Sequence, residues 1–332
     1  MNKKIALITG VAGQDGSYLA ELLLDKDYKV YGLAQSSLSQ NNENWRISHI
    51  ASKLFLHSGD VSDYTVIYEL VKAIKPDEIY HLATKHEVGI SLQDYLDTQK
   101  TNINSVYYFL SAIKELKSDC KFFFASSSKI FGKALLSPQN EQTVFAPNSI
   151  YSISKVSGMN LVKMYRDEQG VFACSGILYN HESPRRDFNF LPRKITQAAA
   201  RIKAGKEKEL ALGNIDAKRD WGYAKDYVEG MWLMLQADKP DDYVIGTGEI
   251  HSVKDILDIA FKEVGLDWKK YVVINKEFFR KEGDIPMVAD ISKIKNKLKW
   301  QPKISFEELI KMMVQNDLKL EEVIWADVNK MI

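Results

Sequence analysis

Three residues of this chain have types and spacing that suit proton transfer. Tyr151 and Lys155 are four residues apart in a segment of helical pattern, so their side chains would lie on one face. A phenol is a poor base at neutral pH, but an adjacent ammonium favours the phenolate and lowers its pKa. Such a pair standing alone is usually an ordinary surface contact. Here Ser127, in a serine cluster upstream, and a nucleotide-type turn support the prediction of an acid–base unit.

The nucleotide-type turn lies near the N-terminus. An apolar run at 5–8 leads into Gly10, Gly13 and Gly16, and apolar residues then recur at helical spacing. The order is therefore strand, glycine turn and helix. Such glycines allow a tight turn, close approach of a pyrophosphate and close helix packing, and the first helical amides face the phosphates. The spacing is G-x-x-G-x-x-G, and it predicts a dinucleotide site.

Alternating strands and helices must position these residues. Strands are predicted at 28–33, 53–57, 78–83, 121–125 and 171–178, and helices at 66–73, 105–116 and 150–168. This alternation predicts an α/β fold with a doubly wound parallel sheet of Rossmann type. Its ligands would lie across the carboxyl ends of the strands, which is where the candidate residues fall.

Beyond Leu178 the alternation loosens, which predicts a smaller C-terminal substrate-binding lobe. We assign 1–179, with about 223–265, to the dinucleotide-binding domain, and 180–222 with 266–332 to the lobe. Segments 223–236, 243–245 and 253–264 are expected to return to the main sheet as helix, strand and helix. An amphipathic helix begins near Phe306, and residues 321–332 are either a partner contact or a packed tail.

Composition favours a soluble enzyme. The 332 residues include 45 basic and 44 acidic ones, which leaves no excess charge for nucleic acid or a membrane surface. Cys120 and Cys174 lie far apart without metal-ligand spacing, so no metal site is expected, and both are predicted to be buried thiols of a reducing compartment. Met1-Asn2-Lys3-Lys4 is followed by only four apolar residues before Thr9, too few for a signal peptide, and no apolar segment is long enough to span a bilayer. A cytoplasmic location is expected.

The glycine turn, Gly59-Asp60, Ser127, Tyr151 and Lys155 together resemble the extended short-chain dehydrogenase/reductase family. Within it, the chain is similar to the GDP-mannose 4,6-dehydratase family from about residue 3 to about residue 318. The segments that carry this likeness are 9–19, 180–186, 193–195, 219–222 and 224–228.

The resemblance implies a role for each matching residue. Ser127 would bind the C4 oxygen of a sugar, Tyr151 would remove that hydroxyl's proton, and Lys155 would bond the nicotinamide ribose and tune Tyr151. The implied cofactor-binding residues are Gly10, Gly13, Gln14, Asp15, Gly16, Asp60 and Leu82, together with Tyr151 and Lys155. The implied residues for the nucleotide and diphosphate of a GDP-sugar are Asn180, Arg185, Lys194, Arg219 and Arg280. The planar fork of arginine suits phosphate oxygens.

One departure from the family concerns the cofactor. The family has two basic residues just after the second strand, which suit a 2′-phosphate, whereas this chain has Leu33-Ala34-Gln35-Ser36-Ser37. No acidic residue that would mark an NAD site appears there either. We expect NAD rather than NADP.

The second departure is Lys129. The family has a glutamate at that position, which takes the C5 proton once C4 is a ketone and helps to expel the C6 hydroxyl. An ordinary lysine is protonated at neutral pH and cannot take a proton. Lys155 and an oxidised nicotinamide could depress the pKa of Lys129 and make it a neutral amine. If Lys129 instead turned into solvent, the base would also be absent.

We therefore expect an NAD-dependent 4-dehydrogenase of a GDP-sugar, GDP-mannose or a GDP-manno-heptose, in surface-polysaccharide biosynthesis. A 4-epimerase and a slow 4,6-dehydratase with a substitute base remain alternatives. Glu87, in Lys85-His86-Glu87, is the candidate substitute beside the sugar, and His86 also fits an ordinary loop residue. A nucleotide-binding regulatory protein is a further alternative, disfavoured by the intact serine, tyrosine and lysine. The resemblance also implies a homodimer or homotetramer that pairs through helices 105–116 and 150–168.

Overall fold

The computed structural model describes residues 3–35, 42–86, 91–116, 119–279 and 286–331. In chain order its strands are β1 (Ile5–Thr9), β2 (Lys29–Ala34), β3 (Phe55–Ser58), β4 (Glu78–His81), β5 (Lys121–Ser127), β6 (Ala173–Leu178), β7 (Asn180–Glu182), β8 (Leu210–Leu212), β9 (Lys218–Arg219), β10 (Trp221–Tyr223), β11 (Tyr243–Ile245), β12 (His251–Ser252) and β13 (Val272–Ile274). Its α-helices are α1 (Gln14–Asp25), α2 (Tyr64–Ile74), α3 (Leu92–Gln99), α4 (Ser105–Glu115), α5 (Ile150–Gln169), α6 (Leu191–Lys203), α7 (Ala224–Gln236), α8 (Val253–Glu263), α9 (Ser292–Leu298) and α10 (Phe306–Met331).

Seven strands form one parallel sheet in the order β11-β6-β5-β4-β1-β2-β3. Helices cover both faces of the sheet, so strands such as β4 and β6 are buried along their whole length. This arrangement confirms the predicted α/β fold with a doubly wound parallel sheet. The order reverses between β1 and β4, so a crevice opens beyond their carboxyl ends, where such folds bind ligands.

Helix α5 presents Tyr151 at the edge of this crevice. The helix begins at Ile150 because the Ser149 hydroxyl accepts a hydrogen bond from the Ser152 amide, and the Ser152 hydroxyl faces the Ser149 amide in return. Tyr151 therefore occupies the first turn and Lys155 the next one. The predicted helix at 150–168 matches α5 closely.

A third hydrophobic cluster lies apart from the sheet, among α6, α8 and α10. Its members include Ile195, Ile256, Leu257, Ile310 and Val314, which are fully buried. Helix α8 packs on α6 and α10, which differs from our expectation that 253–264 returns to the sheet. The reason is that the apolar residues of α8 are buried in the cluster that it forms with α6 and α10. The division into two domains stays a prediction.

Helices α6 and α10 are also joined by a buried ion pair. An Arg193 Nη atom lies 2.7 Å from Asp317 Oδ1, with both side chains at most 2% exposed, and Thr196 donates to the other carboxylate oxygen. Further along α10, Glu321 is buried and pairs with Lys206. The C-terminal residues that the sequence left undecided thus begin as a packed part of α10.

Among the described residues, no helix is both long and apolar enough to cross a membrane. Cys120 and Cys174 are both buried and unbridged, as the sequence predicts.

Candidate active site

Ser127, Tyr151 and Lys155 lie together at the carboxyl end of β5. Ser127 is the last residue of that strand, and its hydroxyl is near enough to the Tyr151 phenol to favour the phenolate form. The Lys155 side chain is 2% exposed; its Nζ donates to the Ala125 carbonyl at 2.8 Å and lies 5.6 Å from the centroid of the Tyr151 ring. The three groups can therefore bind one hydroxyl and exchange its proton. Their roles remain predictions.

Burial dominates the proton affinities of this group. Burial raises the pKa of Tyr151 to about 12, although the Ser127 hydrogen bond and the Arg186 charge oppose the rise. Burial also lowers the pKa of Lys155 to about 7. The spacing suggested that a lysine ammonium would lower the phenol's pKa, and the ligand-free protein differs because Lys155 itself is only partly charged near pH 7. Tyr151 is accordingly a neutral phenol there.

The glycine turn has the close packing that a dinucleotide site requires. Gly10 has a φ of +70°, which favours glycine, and a Cβ on Gly16 would lie 2.2 Å from the Gly10 carbonyl oxygen. Helix α1 begins at Gln14 without a side-chain cap on Gly13, so its first amides face the crevice. Leu82, after β4, is fixed beside the turn because its amide donates to Thr9 Oγ1 at 3.1 Å. The turn therefore fits a pyrophosphate.

Gln14 and Asp15 direct their side chains into the protein. Asp15 Oδ2 lies 2.8 Å from His181 Nε2. Gln14 donates to the His181 carbonyl at 3.1 Å and accepts from the Ser183 hydroxyl at 2.8 Å. These two residues are predicted to bind the cofactor, and the groups that would do so are their backbone amides in the first turn of α1. Their side chains instead join the turn to β7 and to Ser183, which follows it.

Asp60 lies beside the end of β2. Its carboxylate accepts from the Ser62 amide at 2.8 Å and from the Gln35 side chain at 3.3 Å. Burial raises the pKa of Asp60, but these hydrogen bonds outweigh it and the net shift is downward. A fixed negative charge therefore occupies the end of the site where an adenosine is expected. Residues 36–41 lie outside the described part of the chain.

Lys129, Asn180 and Arg219 line one narrow crevice on the substrate side. Lys129 follows β5 in a short 3₁₀ turn, Asn180 opens β7 and Arg219 closes β9. The remaining lining residues are Ser128, Tyr179, Asp220 and Met287. Lys129 is exposed and forms part of the lining of this crevice. Three of the predicted residues are thus brought together.

Two other predicted substrate residues lie elsewhere. Arg185 is paired with Glu21, donates to the Ser17 hydroxyl at 3.1 Å and covers the Tyr18 ring at 4.1 Å. Lys194 donates to the Ala211 carbonyl at 3.1 Å. Neither lines the crevice that contains Lys129. Glu87 and Arg280 lie outside the described residues.

Several charged and aromatic residues near Tyr151 had no role in the sequence interpretation. The His86 ring is 5.6 Å from the Tyr151 ring, and Arg186 covers the Phe190 ring at 3.5 Å. Glu182 is buried, burial raises its pKa, and its Oε2 lies 3.3 Å from Arg186 Nε. Glu182 and Arg186 are four residues apart in the sequence, but this segment is not a helix, so their spacing alone gave no signal of this last pair.

The chain is similar to known proteins over nearly its whole length. The family model described as GDP-mannose 4,6 dehydratase matches residues 7–313. GDP-mannose 4,6 dehydratase 1 of Arabidopsis thaliana is 46% identical to this chain over 99% of the chain and 94% of the relative.

Solved structures share the fold at lower identity. A UDP-glucose 4-epimerase of Thermotoga maritima, solved with UDP-glucose, has a TM-score of 0.83 at 24% identity and covers 96% of this chain and 99% of its own. A dTDP-glucose 4,6-dehydratase of Bacillus anthracis, solved with NAD, has a TM-score of 0.80 at 22% identity and covers 96% and 98%.

Proposed function

Because the chain belongs to the GDP-mannose 4,6-dehydratase family within the extended short-chain dehydrogenases/reductases, we propose that it oxidises C4 of a GDP-sugar with NAD and releases the 4-keto sugar without removing water. The single observation that carries this proposal is Lys129, where the family resemblance expects the glutamate that collects the C5 proton. The substrate is GDP-mannose or a GDP-manno-heptose, and the pathway is one of surface-polysaccharide biosynthesis.

The proton transfer in this oxidation uses side chains that already lie together. Ser127 donates to or accepts from the C4 hydroxyl, and Tyr151 takes its proton while Lys155 stabilises the phenolate. When bound, the oxidised nicotinamide supplies the acceptor for the hydride that leaves C4. Since burial raises the pKa of Tyr151 to about 12, the phenolate needs positive charge beside it, which Lys155 and an oxidised nicotinamide would supply.

Dehydration would need one more base, and Lys129 is unsuited to that role. A 4-ketone acidifies the C5 proton, but a protonated amine cannot accept it. Lys129 shares its crevice with Asn180 and Arg219, which supports a position beside the sugar rather than one turned away from it. Without elimination, the product has lost two hydrogens. Turnover then requires exchange of the reduced cofactor or a second, oxidised substrate.

The residues at the adenosine end of the cofactor site favour NAD over NADP, because they supply negative rather than positive charge. The end of β2 has Ala34 and Gln35 where a 2′-phosphate would need cations, and the Asp60 carboxylate lies beside Gln35. An ionised carboxylate there would repel a 2′-phosphate. Binding titrations with NAD and NADP test this point, and tighter binding of NADP would contradict it.

The reaction type is tested by product mass. Purified protein is incubated with NAD and each candidate GDP-sugar, and the products are analysed by mass spectrometry. Loss of two hydrogens is expected. Loss of one water would refute the proposal, and retention of mass with a changed NMR spectrum would identify a 4-epimerase.

Three variants separate a missing base from an unsuitable substrate. Lys129→Glu should confer loss of water, whereas Lys129→Gln, which removes the charge without adding a base, should not. Lys133→Glu makes the same charge change at an exposed position four residues away and serves as the control. Dehydration by the unaltered protein or by Lys129→Gln would contradict the role given to Lys129.

A 4,6-dehydratase is the second candidate, because the 46% identical Arabidopsis relative bears that name. His86, against the Tyr151 ring, and Glu87, which follows it in sequence, are the residues that could replace the family base. Loss of water by the unaltered protein that disappears in Glu87→Gln would favour this candidate. Bound cofactor without turnover on any GDP-sugar would favour a regulatory protein.

We also propose that two copies pair through α4 and α5. These helices lie side by side and leave Tyr107, Ile153 and Met164 exposed, at 46%, 46% and 39%. Large exposed apolar side chains on neighbouring helices favour a protein contact. Size-exclusion chromatography with light scattering should give the mass of a dimer or tetramer. The mass of a monomer would contradict the proposal.

A further inference from the structure

Met287 forms part of the wall of the narrow crevice that contains Lys129 and Arg219. Its side chain is partly buried, because it also packs against the hydrophobic cluster to which Phe131 and Tyr179 belong. The cavity within the crevice has a volume of about 10 Å³, which is room for about one water molecule. A larger group that enters the crevice must therefore compete with the Met287 side chain for space.

Met287 lies in a segment, residues 286–290, that we call the strap. Gln139, which is fully buried, holds the strap from one side. Its Nε2 donates to the Pro286 carbonyl at 3.2 Å, and its Oε1 accepts from the Val288 amide at 3.0 Å. Two backbone hydrogen bonds of 2.8 Å also join Gln139 to the strap. The backbone is thus fixed on both sides of Met287.

Asp220 holds the strap from the other side. It is 1% exposed, and its carboxylate accepts from the Ala289 amide at 3.1 Å. The same carboxylate accepts from the Thr247 hydroxyl at 2.7 Å and from the Gly248 amide at 3.0 Å. Behind the strap, a Cβ on Gly246 would lie 2.2 Å from the Ala289 Cβ. The strap therefore cannot recede, and a side chain on it can adjust only by changing rotamer.

The crevice lies where the carbon chain outside the sugar ring is expected. The inference rests on the proposed function, which puts C4 of the sugar at Ser127 and Tyr151. Lys129 is two residues beyond Ser127, and its amide donates to Ser127 Oγ at 3.3 Å. Arg219, in the same crevice, is expected at the diphosphate, which is attached to C1. One edge of a pyranose joins C4 to C1 through C5 and the ring oxygen, and the role of the residue that Lys129 replaces selects this edge.

We propose that Met287 is a specificity-determining residue: it limits the substituent on C5 to a single carbon and so selects GDP-mannose over a GDP-manno-heptose. A seventh carbon with its hydroxyl is larger than one water molecule and would collide with the Met287 side chain. The thioether is only a weak acceptor, so it would also leave the additional hydroxyl poorly hydrogen-bonded after its water is lost.

The test compares kcat/KM for C4 oxidation of GDP-mannose and of a GDP-manno-heptose. The unaltered protein should favour GDP-mannose by at least about tenfold. Met287→Ala should lower this ratio by about tenfold or more, because the shortened side chain admits the seventh carbon. Met312→Ala is the matched control, since it makes the same truncation at a partly buried methionine of α10 that does not line the crevice. Its ratio should equal that of the unaltered protein.

An unaltered protein that oxidises the heptose as well as GDP-mannose would overturn the inference and leave the proposed C4 oxidation intact. An unchanged ratio in Met287→Ala, or an equal fall in Met312→Ala, would also overturn it. Should Met287→Ala fail to fold, Met287→Val decides, since it shortens the side chain and keeps it apolar; an unchanged ratio in that variant would overturn the inference. Absence of C4 oxidation with both sugars would instead refute the proposed function.

Discussion

Replacement of Lys155 by methionine should stabilise the ligand-free protein while abolishing the oxidation. Lys155 is 2% exposed, and burial lowers its pKa from 10.5 to about 7. A shift of this size means that the fold tolerates the ammonium poorly. Active-site residues of this kind commonly lower stability for the sake of function.

The magnitude follows from the pKa and from one hydrogen bond. A fall from 10.5 to about 7 corresponds to about 5 kcal/mol, at roughly 1.4 kcal/mol per pH unit. The 2.8 Å hydrogen bond from Nζ to the Ala125 carbonyl would be lost, which costs about 1–3 kcal/mol when the carbonyl stays buried. We expect Lys155→Met to raise the free energy of unfolding by about 2–4 kcal/mol at pH 7.

The sign of the pH dependence follows from the lowered pKa. The unfolded chain binds this proton up to about pH 10.5 and the folded chain only up to about pH 7, so the unaltered protein gains stability between these values. The advantage of Lys155→Met should therefore shrink by roughly 1.4 kcal/mol per pH unit and vanish between about pH 8.5 and 10. Urea unfolding of both proteins at pH 7, 8.5 and 10 measures it.

Lys163→Met is the matched control on the same helix. The Lys163 side chain is 64% exposed and pairs with Asp167 on the surface, so its removal should change stability by less than about 1 kcal/mol. A Lys155→Met protein that is less stable than the unaltered protein at pH 7 would refute the reasoning. So would an advantage that stays constant from pH 7 to pH 10.

Three further predictions concern packing and chemistry. Gly16→Ala places a Cβ 2.2 Å from a backbone carbonyl oxygen and should abolish NAD binding in a titration, whereas Gly170→Ala, with a φ of +69° and open space around it, should cost only about 1 kcal/mol in urea unfolding. Asp317→Asn leaves the buried Arg193 guanidinium without its counter-charge and should lower the free energy of unfolding by about 3–5 kcal/mol; full stability would contradict this. Tyr151→Phe should retain GDP-sugar binding in calorimetry and slow C4 oxidation at least about a hundredfold, and near-normal turnover would show that another group takes the proton.

The sheet could be predicted because its strands are continuous apolar runs separated by amphipathic helices. The strand at 243–245 was predicted with its exact bounds. Helix α6 was missed, although Ile195, Ala199 and Ile202 recur at helical spacing. The segment had been treated as irregular because the regular alternation ends before it.

The site could be predicted only in part. Spacing along α5 was enough to bring Tyr151 and Lys155 to one face, but it could not reveal that burial reverses the expected proton affinities. Pairing across the fold was equally hidden, since Asp15 and His181 are 166 residues apart in sequence. A charged residue that a local motif assigns to ligand binding, such as Asp15, can thus be paired with another residue of the protein instead.

The separation of Asp15 from His181 also has a consequence for biosynthesis. The glycine turn leaves the ribosome early, but its charged partner and the Ser183 hydroxyl emerge only when more than half of the chain has been made. Until then the Asp15 carboxylate lacks the His181 ring that holds it within the protein. A nascent chain should therefore take up its dinucleotide late, after the strand that carries His181 has joined the fold, and fragments that stop before this strand should remain empty.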